Sequence, residues 1–183
     1  MSDTVTYDLG LVDSAAPEAV GEPGKRTFKI TARSGRGKAT VWVEKEQLFQ
    51  IGMSIKQFVA ARPPVRDPAQ FAAEAGPSRP VDLEFKAGDM SLRHDAASDV
   101  FTLSASNVSE DEEQTGGRPE GADRPEEAVE VLFSLPRAGA ERLADQALEV
   151  VAGGRKPCPL CGAPLDRGGH FCVKRNGHRK REG

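Results

Sequence analysis

One pattern of side chains occurs twice in this chain: two alternating runs followed by a helical period. Between Thr27 and Arg33, Phe28, Ile30 and Ala32 share one face, while Lys29, Thr31 and Arg33 share the other. Alternation at period two marks a half-buried strand. Ser34-Gly35-Arg36-Gly37 reads as a turn, and residues 39–44 alternate again, so a hairpin is expected. From Glu44 the period changes. Leu48, Ile51, Ile55, Phe58 and Val59 recur at helical spacing until Pro63-Pro64 ends the run. The second occurrence spans 100–152. Phe101, Leu103 and Ala105 make one strand, and Val129, Val131, Phe133 and Leu135 make the next. Leu143, Ala144, Ala147, Leu148 and Val151 then mark a helix face that Gly153-Gly154 closes. Pro136 is expected in the first turn of that helix.

Further strands are expected at Val81–Phe85 and around Met90–Leu92, with His94 to Asp99 as the turn that follows. The fold class is therefore α+β. It consists of a mainly antiparallel sheet of about six strands with two amphipathic helices over one face. The recurrence reads as a weak internal duplication. Residues 1–26, rich in Gly, Pro and Ala, read as an irregular lead-in to a domain at 27–154. Residues 107–127 carry almost no apolar side chain and are expected to form a disordered acidic loop, since burial cannot offset their ordering entropy. Aromatic residues make up only 5% of the chain, so the core must be mostly aliphatic.

A net charge of −3 gives no global reason to expect a nucleic-acid partner. No run of about 18 apolar residues exists to span a bilayer, and no signal peptide is evident at the start. A cytoplasmic protein is expected. The cysteines support this, because all three fall at Cys158, Cys161 and Cys172 rather than in an even, dispersed set. Clustered thiols in a reducing compartment point to metal.

The segment 155–183 reads as a zinc knuckle with a basic terminus. Cys158-Pro-Leu-Cys161-Gly162 can turn two sulfurs toward one ion, and the glycine lets the backbone fold under it. Structural zinc needs four ligands. Cys172 supplies a third, and His170 or His178 the fourth. His170 is favoured, with a bend at Gly168-Gly169 bringing it beside Cys172, because His178 lies in a charged terminus. A redox Cys-x-x-Cys would normally open a helix after a strand. This pair follows a helix, among prolines and glycines.

Gly21-Glu-Pro-Gly24-Lys-Arg26-Thr27-Phe28, Val43-Glu44-Lys45-Glu46-Gln47 and Cys158-Pro-Leu-Cys161-Gly-Ala-Pro-Leu-Asp166 with Gly169-His170-Phe-Cys172 resemble a family of uncharacterised proteins widespread in actinobacteria. The resemblance covers most of the chain apart from 65–79 and 107–127. It implies the fold and the zinc site but no reaction. Its genes are typically found beside those of a histidine-phosphatase-like and a kinase-like protein. The family's tyrosine at the position of His178 favours His170. Its threonine before the proline makes Leu135 a lost helix cap.

Other signals are weaker. Ser34-Gly-Arg-Gly-Lys38 joins two strands and is a hairpin turn, not a phosphate loop. Gly21 to Arg26 reads as a chain reversal, with an anionic ligand as the alternative. His94 reads as a surface residue, and Trp42 as an aromatic packed under a loop. No catalytic constellation appears. The expected function is that of a zinc-binding protein-interaction or adaptor module with another protein as partner. The alternatives are nucleic-acid binding through the knuckle and tail, and an enzyme acting in a phosphatase- or kinase-like pathway.

Overall fold

The computed structural model describes residues 4–22, 25–72, 76, 79–108, 128–153, 158 and 160. The strands are β1 (Val5–Leu11), β2 (Ser14–Val20), β3 (Thr27–Ser34), β4 (Gly37–Val43), β5 (Val81–Lys86), β6 (Asp89–Asp95), β7 (Val100–Ser106) and β8 (Val129–Pro136). The helices are α1 (Lys45–Ala61), between β4 and β5, and α2 (Arg137–Val151), after β8. The protein is α+β, as expected. The single antiparallel sheet of about six strands is replaced by two mixed four-stranded sheets, ordered β1-β8-β7-β6 and β2-β3-β4-β5.

Residues 5–20, expected to be irregular, supply the two missing strands. β1 was hidden by a register shift between Asp8 and Leu11. Gly10 sits there at φ +65°, and its N–H donates to Asp8 Oδ1 at 2.7 Å. β2 reads SAAPEAV, with a single β-branched residue. It lies at a sheet edge, where Pro17 costs no ladder hydrogen bond.

The same arrangement occurs in both sheets. In the second sheet, β2, β3 and β4 run antiparallel, α1 follows β4, and β5 returns parallel to β4. In the first, β6, β7 and β8 run antiparallel, α2 follows β8, and the parallel neighbour of β8 is β1. The returning strand thus precedes its own half in sequence. Hydrogen bonds repeat with the strands. Val12 N–H donates to Ser134 O at 2.9 Å and Ala87 N–H to Trp42 O at 2.8 Å. Asp13 N–H donates to Arg33 O at 2.8 Å and Gly88 N–H to Ser106 O at 2.7 Å. Phe28, Ile30 and Ala32 of β3 take the positions of Phe101, Leu103 and Ala105 of β7, and all six are buried in one core.

The helices match from their N-caps, Glu44 and Pro136. Leu48, Ile51, Gly52 and Ile55 correspond in place to Ala140, Leu143, Ala144 and Ala147, and all eight are buried. At two of these places α1 carries a large side chain, Leu48 and Ile55, where α2 carries alanine. The helices pack against each other, with Gly52 facing Leu148 and Ala144 closely enough that a Cβ would lie 3.2 Å from Leu148. Each helix also reaches the edge strand of the opposite half, α1 against β6 and α2 against β2.

Pro136 is itself the N-cap, with extended backbone, rather than the first helical residue. Leu135 therefore caps nothing. It is a core side chain at the end of β8, so a threonine there would bury a hydroxyl. The turn at Gly35-Arg36 is as expected. Among the described residues no helix is long and apolar enough to cross a membrane.

Candidate functional site

Of the expected zinc ligands, Cys158 is described and is 6% exposed. Cys161, His170, Cys172 and His178 lie outside the described residues, as does most of the acidic loop. The route to Cys158 begins at the end of α2. Gly153 adopts φ +66°, and its N–H donates to Val150 O at 3.0 Å. A Cβ on Gly153 would lie 2.9 Å from Arg26 Nη1, so this C-terminal glycine also admits an arginine from the turn between β2 and β3. Three thiolates and an imidazole, if brought together, would make a soft, closed donor set suited to structural zinc. A first thiol already out of water fits that use better than an exposed reactive cysteine would.

A second cluster was not anticipated, because His94 was expected at the surface. The turn after β6 is built on Asp95, whose carboxylate accepts from Ala97 N–H at 2.9 Å and Ser98 Oγ at 2.8 Å. These bonds, and chiefly the Ala97 amide, hold Asp95 below the usual carboxylate range. The turn ends with Asp99 at φ 54°, a left-handed conformation that aspartate tolerates. Asp99 points inward. Its Oδ1 is 2.8 Å from His94 Nε2 and 3.5 Å from Arg137 Nη1, and its Oδ2 accepts from Val65 N–H at 3.2 Å. The side chains of His94 and Asp99 are 4% and 8% exposed, and that of Arg137 is 14%.

Arg137, the first residue of α2, also reaches across to the end of α1. Its Nη2 donates to Val59 O and Arg62 O, both at 2.7 Å. A cation on the last carbonyls of a helix also opposes the helix dipole. The His94 ring lies against Phe101, centroids 4.4 Å apart, and Phe58 at 5.9 Å. Nδ1 of His94 is buried with no hydrogen-bond partner. The cluster ties the β6–β7 turn, the end of α1, Val65 and the start of α2 to one carboxylate. These contacts are those of a structural tie between the pieces. Sequence missed it because His94, Asp99 and Arg137 come from separate elements.

Burial raises the pKa of Asp99, but the His94 hydrogen bond, the Val65 amide and the Arg137 charge outweigh burial and leave it below the ordinary 3.8. A folded value below the unfolded one contributes stability above the unfolded value. That stability is lost as pH falls through the folded value. The Asp99→Asn variant is therefore expected to show a flatter loss of stability than the parent as pH falls below about 4. Urea midpoints across that range check it, and parallel curves would show that Asp99 does not drive acid unfolding.

The outer face of the second sheet carries an open depression. It has a volume of about 540 Å³ and lies over Thr31 and Thr40, bounded by Arg33, Lys38, Lys29, Glu18 and Glu84. Trp42 stands on this face and not under a loop. Its Nε1 donates to Glu84 at 2.8 Å, and Lys29 Nζ lies 5.4 Å from its ring centre. Among the described residues no three His, Cys, Asp or Glu side chains stand together as a metal site.

Two sister sheets and a buried His–Asp–Arg tie define the described body of an α+β protein. Residues 7–172 match the family model described as a protein of unknown function, DUF3090, and the chain belongs to that family. No curated protein and no solved structure matches the chain.

Proposed function

We propose that the protein is a zinc-binding interaction module of the cytoplasm, with its α+β body presenting surfaces to another protein and its C-terminal segment closed by one structural zinc ion. One observation carries this reading. Cys158, the first thiol of the Cys-x-x-Cys…His-x-Cys set, is buried at the end of the body. Cys158, Cys161, His170 and Cys172 would hold the metal, which supplies folding free energy to a segment with few apolar side chains. A structural site gives no reaction, and the family it belongs to has none assigned.

Metal analysis of protein purified without chelator is expected to find about one zinc per chain. Less than half an equivalent would overturn the reading. Cys161→Ser and Cys172→Ser are expected to abolish binding. Removing zinc should raise hydrogen exchange after Gly153 while the sheets keep their protection. Salt-sensitive DNA or RNA binding that vanishes on truncation after Cys172 would instead assign the segment to nucleic acid.

A further inference from the structure

The outer face of the second sheet contains an arrangement its sister lacks. Arg33 and Lys38 lie directly opposite each other on β3 and β4, and Thr31 and Thr40 form the next opposite pair on the same face. Opposite residues stand roughly 5 Å apart and same-face neighbours along a strand roughly 7 Å apart, so the four enclose a patch about the size of one phosphate. In the first sheet the corresponding positions are Ser106, Glu130, Ser104 and Leu132. There Ser104 bonds Ser91 at 2.8 Å, and Glu130 accepts from Thr6 at 3.2 Å. That face satisfies itself.

The second face does not. Two cations directly opposite on paired strands repel and destabilise a sheet. Lys38 is offset by Asp82 at 3.0 Å, whereas Arg33 makes no ion pair among the described residues. Among the described residues the hydroxyls of Thr31 and Thr40 make no hydrogen bond, and Thr40 as a residue is 8% exposed. On the β2 side the neighbours are Ser14 and Ala16, small enough to leave the patch open. An oxyanion seated there would bridge the repelling cations and accept from both hydroxyls. The depression continues beyond the patch to Glu18 and Glu84, whose carboxylates offer acceptors for hydroxyl groups.

We propose that Arg33, Lys38, Thr31 and Thr40 bind the phosphate of a phosphorylated sugar whose hydroxyls lie toward Glu18 and Glu84. The depression, at about 540 Å³, is large enough for the whole ligand. This site does not depend on the zinc reading.

The test uses the isotope-labelled full chain, titrated with inorganic phosphate, ribose 5-phosphate and ribose in low-chloride buffer. Both anions are expected to shift the amides of the four residues in a saturable way, with phosphate near about 1 mM. Ribose 5-phosphate should bind roughly tenfold tighter, shift Glu18 and Glu84 as well, and change the fluorescence of Trp42, the single tryptophan of the chain. Ribose alone should do nothing. Arg33→Ala is expected to weaken both anions about tenfold while the melting temperature holds or rises, because it removes the repulsion. The double variant Thr31→Val, Thr40→Val keeps every charge and the strand propensity, and should also lose binding. Diffuse shifts that include Arg93 on the sister face, or unchanged binding in either variant, would overturn the site. Equal affinity for phosphate and ribose 5-phosphate would overturn the sugar portion.

Discussion

Asp99→Ala is expected to lower the unfolding free energy by about 3–5 kcal/mol, the range for removing one partner of a buried ion pair. Asp99 gathers one side chain from β6, one from α2 and the amide of Val65. Without it, Arg137 keeps its two carbonyl acceptors and the half-exposed Glu141 carboxylate at 3.3 Å but loses its buried carboxylate. The Val65 amide and His94 Nε2 lose their partner too. The exposed pairs Lys29–Glu18 and Lys38–Asp82 should each cost only about 0–1 kcal/mol when broken. Urea unfolding followed by Trp42 fluorescence measures both. A cost for Asp99→Ala no larger than for Glu18→Ala would show that the tie does not hold the body together.

Gly37→Ala is expected to cost about 2–4 kcal/mol, although it adds a single methyl group. Gly37 opens β4 at φ +137° and lies opposite Val81 of the parallel strand β5. A Cβ there would fall on the backbone carbonyl oxygen and nitrogen of Val81, and backbone cannot swing aside as a side chain can. The Val81 N–H also donates to Arg36 O at 3.1 Å, so pushing β5 away breaks the start of the pairing. Gly35, two residues earlier in the same turn, has open space around its Cβ direction. Gly35→Ala should be close to neutral in the same denaturation experiment. Equal costs for the two would mean that the clash with Val81 is not the cause.

The parts of the fold legible in sequence were those whose burial follows from local period alone. Phe28, Ile30 and Ala32, and again Phe101, Leu103 and Ala105, announce a strand with one wet face because all six do face one core. The helix faces at Leu48–Ile55 and Leu143–Ala147 were legible for the same reason. β1 was not, because the kink at Gly10 breaks its alternation and its partner β8 lies far along the chain. β2 was not, because alanine and proline suit many conformations and only an edge position admits Pro17. His94 looked like a turn residue. Its burial is decided by Asp99 turning inward and by Phe58 and Phe101 closing over the ring, none of which follows from its neighbours in sequence. The Arg33–Lys38 quartet was readable only in part. Alternation put Thr31 and Arg33 on the wet face of β3, but the pairing with Lys38 and Thr40 required the hairpin register.

The position of β1 sets an order of assembly. The half from Ser14 to Lys86 is one continuous stretch, so its sheet can close as soon as β5 has been made. The other half must wait. β1 is made first, yet it pairs with β8, and a bond such as that between Thr6 and Glu130 spans 124 positions of chain. Closing so long a loop is slow compared with local pairing. A ribosome would therefore have a completed half in hand while β1 still lacked its partner, and the late arrival of β8 and α2 would close the molecule. The two halves thus fill the same place in opposite order: the strand beside β4 is made after its helix, and the strand beside β8 before it.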